Sequence, residues 1–145
     1  MPEETVATAS DVLTDLLVQI SFEVIAIVTR VAAEQGLSLT SARMLGILRD
    51  RTLTMAQLAD YLGLERSTVS GLVDRAEKRG LVARRASAAD GRSTELVITA
   101  AGQELAALAG RSVSVRIAPV VERMPADLHK SLPAILAAIS PSHLS

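Results

Sequence analysis

The side chains best suited to chemistry lie between residues 66 and 92, and most are cations or hydroxyls. Guanidinium groups bind phosphates and the acceptor edges of bases, and short hydroxyl side chains allow a ligand to approach closely. The candidates in the first half of this segment are Arg66, Ser67, Thr68, Ser70 and Arg75. The second half adds Arg84, Arg85, Asp90 and Arg92.

The charge distribution supports an anion-binding centre. Residues 43–92 hold ten Lys or Arg against six Asp or Glu, a net charge of +4, whereas the rest of the chain has five basic and ten acidic residues. A basic middle between acidic ends is typical of proteins that bind polyanions. Charge by itself is equally compatible with a scatter of solvated surface groups.

Catalytic and metal-binding motifs are missing from the sequence. It contains no Gly-x-Ser-x-Gly, no His-Glu-x-x-His and no glycine-rich phosphate loop. The histidines, His129 and His143, fit no common metal motif and are expected at the surface. The absence of cysteine excludes disulfides, zinc–thiolate sites and thiol redox switches. We therefore expect neither an enzyme nor a cofactor or metal.

Periodicity predicts the helices that must position the candidate residues. Residues 65–79 carry apolar side chains at i, i+3, i+4 and i+7, which predicts a helix with one buried stripe and an opposite polar face. The shorter helix before it opens with a capping box, Thr54 followed by Gln57. Leu62-Gly63-Leu64 joins the two, and the pair is typical of a helix-turn-helix. The stripe comprises Val69, Leu72, Val73 and Ala76.

A change of period after Gly80 predicts a β-hairpin. Two strands are expected, Leu81 to Ser87 and Ser93 to Thr99, joined by a loop with the turn pair Asp90-Gly91. Taken alone, that pair indicates no more than a turn. A hairpin directly after the second helix of a helix-turn-helix is a wing, whose arginines Arg84, Arg85 and Arg92 can grip a nucleic-acid backbone or enter the minor groove.

Long apolar helices flank this centre. The first is predicted from Val6 to Gln35 and is apolar on more than one side; a second, short helix covers Thr40 to Arg49. A fifth helix runs from Ala100 toward Arg116, and Pro119 should break or kink it. A last helix starting at Pro125 conflicts with Pro133, so it is either kinked there or begins only near Ser131.

No membrane span is expected, because Gln19 and Glu23 interrupt the most apolar stretch, Leu16 to Val28. Glu3 and Glu4 stand where a signal peptide would carry positive charge. We therefore expect a cytoplasmic protein.

Two segments resemble the MarR family. The run LTMAQLADYLGLERSTVSGLVDRAEKRGLVARR, Leu53 to Arg85, is similar to that family's core, and DGRSTELVITAAGQEL, Asp90 to Leu105, carries its Asp-x-Arg wing motif. The resemblance implies a mainly α fold with a small β-hairpin wing (α+β), a winged helix-turn-helix flanked by long N- and C-terminal dimerisation helices. The implied division is a dimerisation helix over 1–37, a DNA-binding domain over 38–99 and dimerisation helices over 100–145.

The resemblance also implies a function. It assigns base and phosphate contacts to the polar face of the fourth helix, minor-groove insertion to Arg92 and wing shaping to Asp90. It implies a homodimeric transcription regulator, expected to repress, on a pseudo-palindromic double-stranded operator, with a small hydrophobic or phenolic effector. Gly71 departs from the family pattern. With Asp74 and Glu77, it keeps open a winged-helix protein-interaction module that does not bind DNA. The base and phosphate contacts fall on Arg66, Ser67, Thr68, Ser70 and Arg75.

Overall fold

The structure, a computed structural model, describes residues 8–139 as six helices and a small antiparallel sheet. The first part comprises helix α1 (Ala9–Glu34), helix α2 (Leu39–Leu48), strand β1 (Leu53–Thr54) and helix α3 (Met55–Leu62). Helix α4 (Arg66–Lys78), strands β2 (Val82–Ala86) and β3 (Thr94–Ile98), and helices α5 (Ala100–Glu122) and α6 (Ala126–Ile139) follow. The mainly α fold with a hairpin wing is confirmed. The predicted helix start at Val6, and Glu3, Glu4 and His143, lie outside the described residues.

Local capping explains where the first helices begin and end. The Thr54 hydroxyl accepts a hydrogen bond from the Gln57 amide N–H at 3.3 Å, and the Gln57 side chain accepts from the Thr54 N–H at 2.8 Å, which confirms the predicted capping box. Asp11 and Thr8 form a second box at the start of α1, and hydrogen bonds from Thr8 lower the pKa of the Asp11 carboxyl. Gly63 ends α3 in the left-handed conformation, with φ of 67°.

The hydrophobic core lies in the segment from Leu39 to Ile98, which we call the winged-helix body. Helices α2, α3 and α4 pack on one another and on the sheet, and the end of α1 contributes Ala32 and the turn after it Leu37. The largest fully buried side chains of this core are Met44, Leu45, Leu48, Leu58, Val69, Val73, Val82 and Leu96. The core is therefore enclosed mainly by the body, with a contribution from the end of α1.

The sheet has the strand order β1-β3-β2, with all pairs antiparallel. Within the predicted hairpin, Val82 pairs with Ile98 and Ala86 with Thr94. Strand β1 was not predicted; its two residues are too few to show a period, and only the pairing of Leu53 with buried Leu96 identifies it. This third strand attaches the wing to the start of α3.

The structure decides part of each proline prediction: Pro119 does not break α5, and one of the two alternatives for Pro133 is wrong. Helix α5 continues past Pro119 to Glu122, although proline cannot donate the usual backbone hydrogen bond. Helix α6 begins at Ala126 and contains Pro133, so the alternative of a start near Ser131 is wrong.

Helix α1 bears on the prediction that no segment spans a membrane. By length and composition its 26 residues suffice to cross a membrane, despite Gln19 and Glu23. One such helix is weak evidence for a span, since core helices of soluble proteins and signal sequences satisfy the same requirement.

Candidate nucleic-acid interface

Helix α4 is held by its buried stripe and presents its other face to solvent. The predicted stripe is confirmed, because all four of its members are buried in the core beneath α4. Arg66, Ser67, Thr68 and Arg75 are exposed, and Ser70 is half-buried beside them. Glu65 caps the helix without a side-chain hydrogen bond, so no side chain occupies the first-turn N–H groups. The structure thus brings five of the predicted site residues onto one helix surface.

The wing is ordered by a compact set of hydrogen bonds. The buried Ser87 hydroxyl donates to Glu95 Oε1 at 2.6 Å and accepts from the backbone N–H groups of Ala89 and Asp90. Asp90 Oδ1 in turn accepts from the Arg92 N–H at 3.0 Å. The Asp90 side chain therefore closes the tip, and the exposed Arg92 side chain projects from it with no ion pair to any residue between 8 and 139.

The two arginines on β2 point to opposite faces and have different surroundings. Arg85 is exposed, and its Nε lies 3.8 Å from Glu95 Oε2, at the outer limit of an ion pair. Arg84 turns back onto α4, where its guanidinium donates to Asp74 Oδ1 at 2.6 Å and also to Glu77. The hydrogen bond to Asp74 raises the pKa of Arg84, so this arginine stays charged and neutralises both carboxylates.

This Arg84 clasp, defined as Arg84 with Asp74 and Glu77, is a functional feature that sequence reasoning missed. The pairing joins residues seven and ten positions apart on different elements. One signal was present: Asp74 and Glu77 lie three residues apart, and so on one side of a helix, close before a basic strand. The clasp removes the acidic repulsion that α4 would otherwise present to a polyanion.

Two further contacts join the body to its flanking helices near the end of α4. Arg79 donates to the carbonyls of Gly36, at 2.8 Å, and Gln35, at 3.2 Å, just beyond the C-terminus of α1. The Thr99 hydroxyl, which caps α5, donates to the Gly80 carbonyl at 2.6 Å. Both flanking helices are therefore tied to one corner, where α4 ends.

Comparisons with known proteins agree with this architecture. The model of the MarR family matches residues 35–93. No curated protein sequence matches the chain.

Among solved structures, CouR from Rhodococcus jostii RHA1, bound to p-coumaroyl-CoA, is 26% identical with a TM-score of 0.77, covering 92% of this chain and 95% of that one. A MarR-family transcriptional regulator from Rhodococcus sp. RHA1 is 25% identical with a TM-score of 0.75, covering 92% and 96%. NadR in complex with 4-hydroxyphenylacetate is 26% identical with a TM-score of 0.72, covering 97% and 100%.

The family model covers the helix-turn-helix and the wing tip, and the solved structures extend the likeness across both flanking helices. Members of this family are DNA-binding transcription regulators, not enzymes. This combined match in sequence and fold supports a winged helix-turn-helix transcription regulator of the MarR type.

Proposed function

We propose that this protein is a sequence-specific repressor that binds a pseudo-palindromic operator in double-stranded DNA as a homodimer. One observation carries the proposal: the exposed face of α4 holds cations and hydroxyls, while its two carboxylates are neutralised by Arg84. A helix of this kind reads base edges in the major groove, and its free first-turn N–H groups suit a phosphate.

The proposed contacts are divided between α4 and the wing. Arg66 and Ser67 lie in the first turn of α4, close enough to the helix start for backbone phosphates, and Thr68, Ser70 and Arg75 face the base edges. Arg92 at the wing tip enters the minor groove, with Asp90 holding the tip in shape, and Arg85 supports it at the phosphate backbone. Arg84 supports DNA binding indirectly, because its guanidinium is paired with Asp74 and Glu77 and neutralises these carboxylates of α4.

The proposed dimer rests on two helices that the chain leaves uncovered, which we call the apolar arms: α1 up to Val28, and α6. In α1 the large apolar side chains from Val12 to Ile25 are between 38% and 68% exposed. Helix α6 buries none of its residues among those the structure describes. Apolar surfaces of this extent mark interaction sites, and a two-fold axis would place each arm against its own copy.

The proposed effector is a small hydrophobic or phenolic acid. CouR is bound to p-coumaroyl-CoA and NadR to 4-hydroxyphenylacetate, each with an aromatic acyl group or acid. In this chain a cavity of about 220 Å³ lies between α2 and α5, with Val28, Ala42 and Val113 in its wall. A ligand there would change how the body sits on the flanking helices, and so the spacing of the two α4 helices.

The alternative, a winged-helix module that binds protein and not DNA, assumes that acidic groups on α4 repel DNA from this face. Arg84 neutralises Asp74 and Glu77, so the argument for lost DNA binding is weakened, and no contact among residues 8–139 favours a protein ligand over DNA. For this DNA-binding role we propose a cytoplasmic location, no catalytic activity and no cofactor.

Selection of bound sequences from a random DNA pool tests the proposal. The expected product is a two-fold symmetric site whose half-sites lie about 34–36 Å, one helical turn, apart. Affinity for that site, measured by fluorescence anisotropy, should fall steeply between low and high salt, because bound phosphates release counterions. No enrichment, together with salt-independent binding, would reject DNA recognition and leave the interaction module.

A further inference from the structure

One arginine outside the proposed DNA contacts joins the winged-helix body to the end of α1. Arg79 follows the last residue of α4, and its side chain is exposed. Its Nη1 donates to the Gly36 carbonyl at 2.8 Å and its Nη2 to the Gln35 carbonyl at 3.2 Å. These partners lie 43 and 44 residues away in the sequence. The side chain therefore links two helices that α2, β1 and α3 separate along the chain.

The two carbonyls at the end of α1 depend on this arginine. Gly36 has the left-handed φ of 65° that typically ends a helix, so the helical hydrogen-bond pattern stops there. Between residues 8 and 139, Arg79 is the only donor to either carbonyl. The last turn of α1 contains no basic residue, although the C-terminus of a helix favours a cation. Arg79 thus supplies from the body the charge and the two donors that α1 itself does not provide.

Two other cations near this corner do not make the same link. Arg116 of α5 donates to both Glu34 carboxylate oxygens at 2.8 Å, and so joins α1 to another flanking helix. Lys78, next to Arg79 in sequence, is exposed and makes no side-chain hydrogen bond or ion pair within the described part of the chain. Of these three cations, only Arg79 connects the end of α4 with the end of α1.

We propose that Arg79 is a positioning residue, which fixes the orientation of the body on α1 and thereby sets the half-site spacing that the protein recognises. The second part rests on the proposed function, in which α1 is an apolar arm of the dimer and each α4 enters one half-site. Each body is then held to the dimer interface through its own Arg79. The two hydrogen bonds restrict the distance between the two α4 helices, and that distance must match the separation of the half-sites.

The first test needs neither DNA nor a dimer. The chain contains no cysteine, so Ser21→Cys on α1 and Asp60→Cys on α3 provide two unique, exposed sites for spin labels. Labelled chains are diluted with an excess of the same protein without these cysteines, so that each dimer contains at most one labelled chain. Pulsed electron paramagnetic resonance then measures the distance between the two labels of one chain.

The expected difference lies in the width of the distance distribution. Wild type should give a narrow distribution, and Arg79→Met a broader one, because the body is no longer tied to α1. Lys78→Met removes the same charge from the next position and should give the wild-type distribution. Equal distributions in all three proteins, or equal broadening in both variants, would overturn the proposal.

The second test measures spacing on DNA. Operators whose half-sites are moved one base pair apart or together are compared with the selected operator by fluorescence anisotropy. In Arg79→Met the preference for the selected spacing should fall at least about fivefold, the lower end of typical coupling between distant sites. Affinity for an isolated half-site should stay the same, and Lys78→Met should keep the wild-type preference. Arg79→Lys keeps the charge but loses the planar fork, so it should restore the preference only in part.

The outcomes separate this inference from the proposed function. An equal loss of affinity for half-site and operator in Arg79→Met, or full restoration by Arg79→Lys, would overturn the positioning role, since either indicates an effect of charge on DNA affinity. If wild type binds no DNA while Arg79→Met still broadens the distance distribution, the repressor proposal fails and the positioning of the body by Arg79 stands. If DNA binds but Arg79→Met changes neither spacing preference nor distance distribution, the inference fails and the repressor proposal stands.

Discussion

The winged-helix body and the apolar arms are both rich in aliphatic side chains, yet they use them differently. In the body, Met44, Leu58 and Val69 are completely removed from solvent. In the arms, side chains of the same chemistry remain exposed to solvent, with Leu13 58% exposed and Ile139 66% exposed. A high aliphatic content therefore predicts that a segment will be buried, but it does not identify the surface that buries it. Short helices joined by tight turns predict an internal core, while a long helix that is apolar on several sides needs a second surface.

The largest expected effect comes from the body. Leu58→Ala should lower the free energy of unfolding by about 2–5 kcal/mol, because it leaves a cavity beneath α4. Urea denaturation at fixed protein concentration measures the loss. The matched variant in the arms is Leu16→Ala, because Leu16 is half-exposed in the single chain. Its effect on the free energy of unfolding should depend on protein concentration, since dimer formation would bury this side chain. Equal, concentration-independent losses in the two variants would contradict the distinction.

The arms can be broken without unfolding the body. Ile20→Glu places a charge on the exposed face of α1 and should raise the dimer dissociation constant at least about tenfold, since burying an isoleucine contributes roughly 1.5–3 kcal/mol. Sedimentation should show monomers at concentrations where wild type is dimeric, with unchanged helix content by circular dichroism. Thr14→Glu on the same helix is a control for added charge. A wild-type protein that sediments as a monomer would contradict the proposal that the arms form a dimer interface.

Within the body, the Arg84 clasp should affect DNA binding through repulsion. Arg84→Met leaves Asp74 and Glu77 unpaired and should weaken operator binding about tenfold or more, because like charges at an interface are costly. Adding Asp74→Asn and Glu77→Gln to that variant should restore most of the affinity. Anisotropy titrations should compare operator binding by wild type, Arg84→Met, the triple variant and the double variant without Arg84→Met. No restoration would indicate that Arg84 contacts phosphate directly.

The wing should contribute a smaller and less selective share. Arg92→Ala should weaken binding to specific and scrambled DNA by similar factors, because the minor groove distinguishes few base pairs. The log–log salt slope should flatten by up to about 0.9 per subunit if one phosphate contact is lost. Salt titrations on both DNA sequences measure this effect, with Arg123→Ala, just after the end of α5, as a control. An unchanged slope and affinity would mean that the wing tip does not contact DNA.

The smallest effect is expected at Gly71. An added Cβ there would lie 3.4 Å from the end of the flexible Arg75 side chain, so Gly71→Ala should be accommodated and stabilise α4 by up to about 1 kcal/mol. Gly102→Ala is the contrasting variant, since its Cβ would lie 2.1 Å from the Leu81 carbonyl oxygen and must destabilise the body. Thermal unfolding of both tests this pair. A loss of stability in Gly71→Ala would show that α4 needs the glycine.

Features encoded within one turn of helix or one hairpin were predictable from sequence. The Thr54–Gln57 capping box and the buried stripe of α4 depend on spacings of three and four residues, and both are found. Features that depend on tertiary contact were not. Strand β1 exists only through its pairing with β3, and the Arg84 clasp exists only once β2 is folded back on α4. The expected break at Pro119 does not occur and α6 continues through Pro133, because a helix can lose one backbone hydrogen bond and continue.

The ties of α1 and α5 to one corner have a mechanical consequence. If the body rotated about Arg79 and Gly80 at one end of α4, the proposed DNA-contacting residues Thr68 and Arg66, which lie toward the other end, would move farthest. The 13 residues of α4 make an arm about 20 Å long at 1.5 Å per residue. A rotation of roughly 10° then moves its far end by about 3.4 Å, one base-pair step along DNA. A small rotation at the corner would therefore move the far end of α4 along the operator by one base pair.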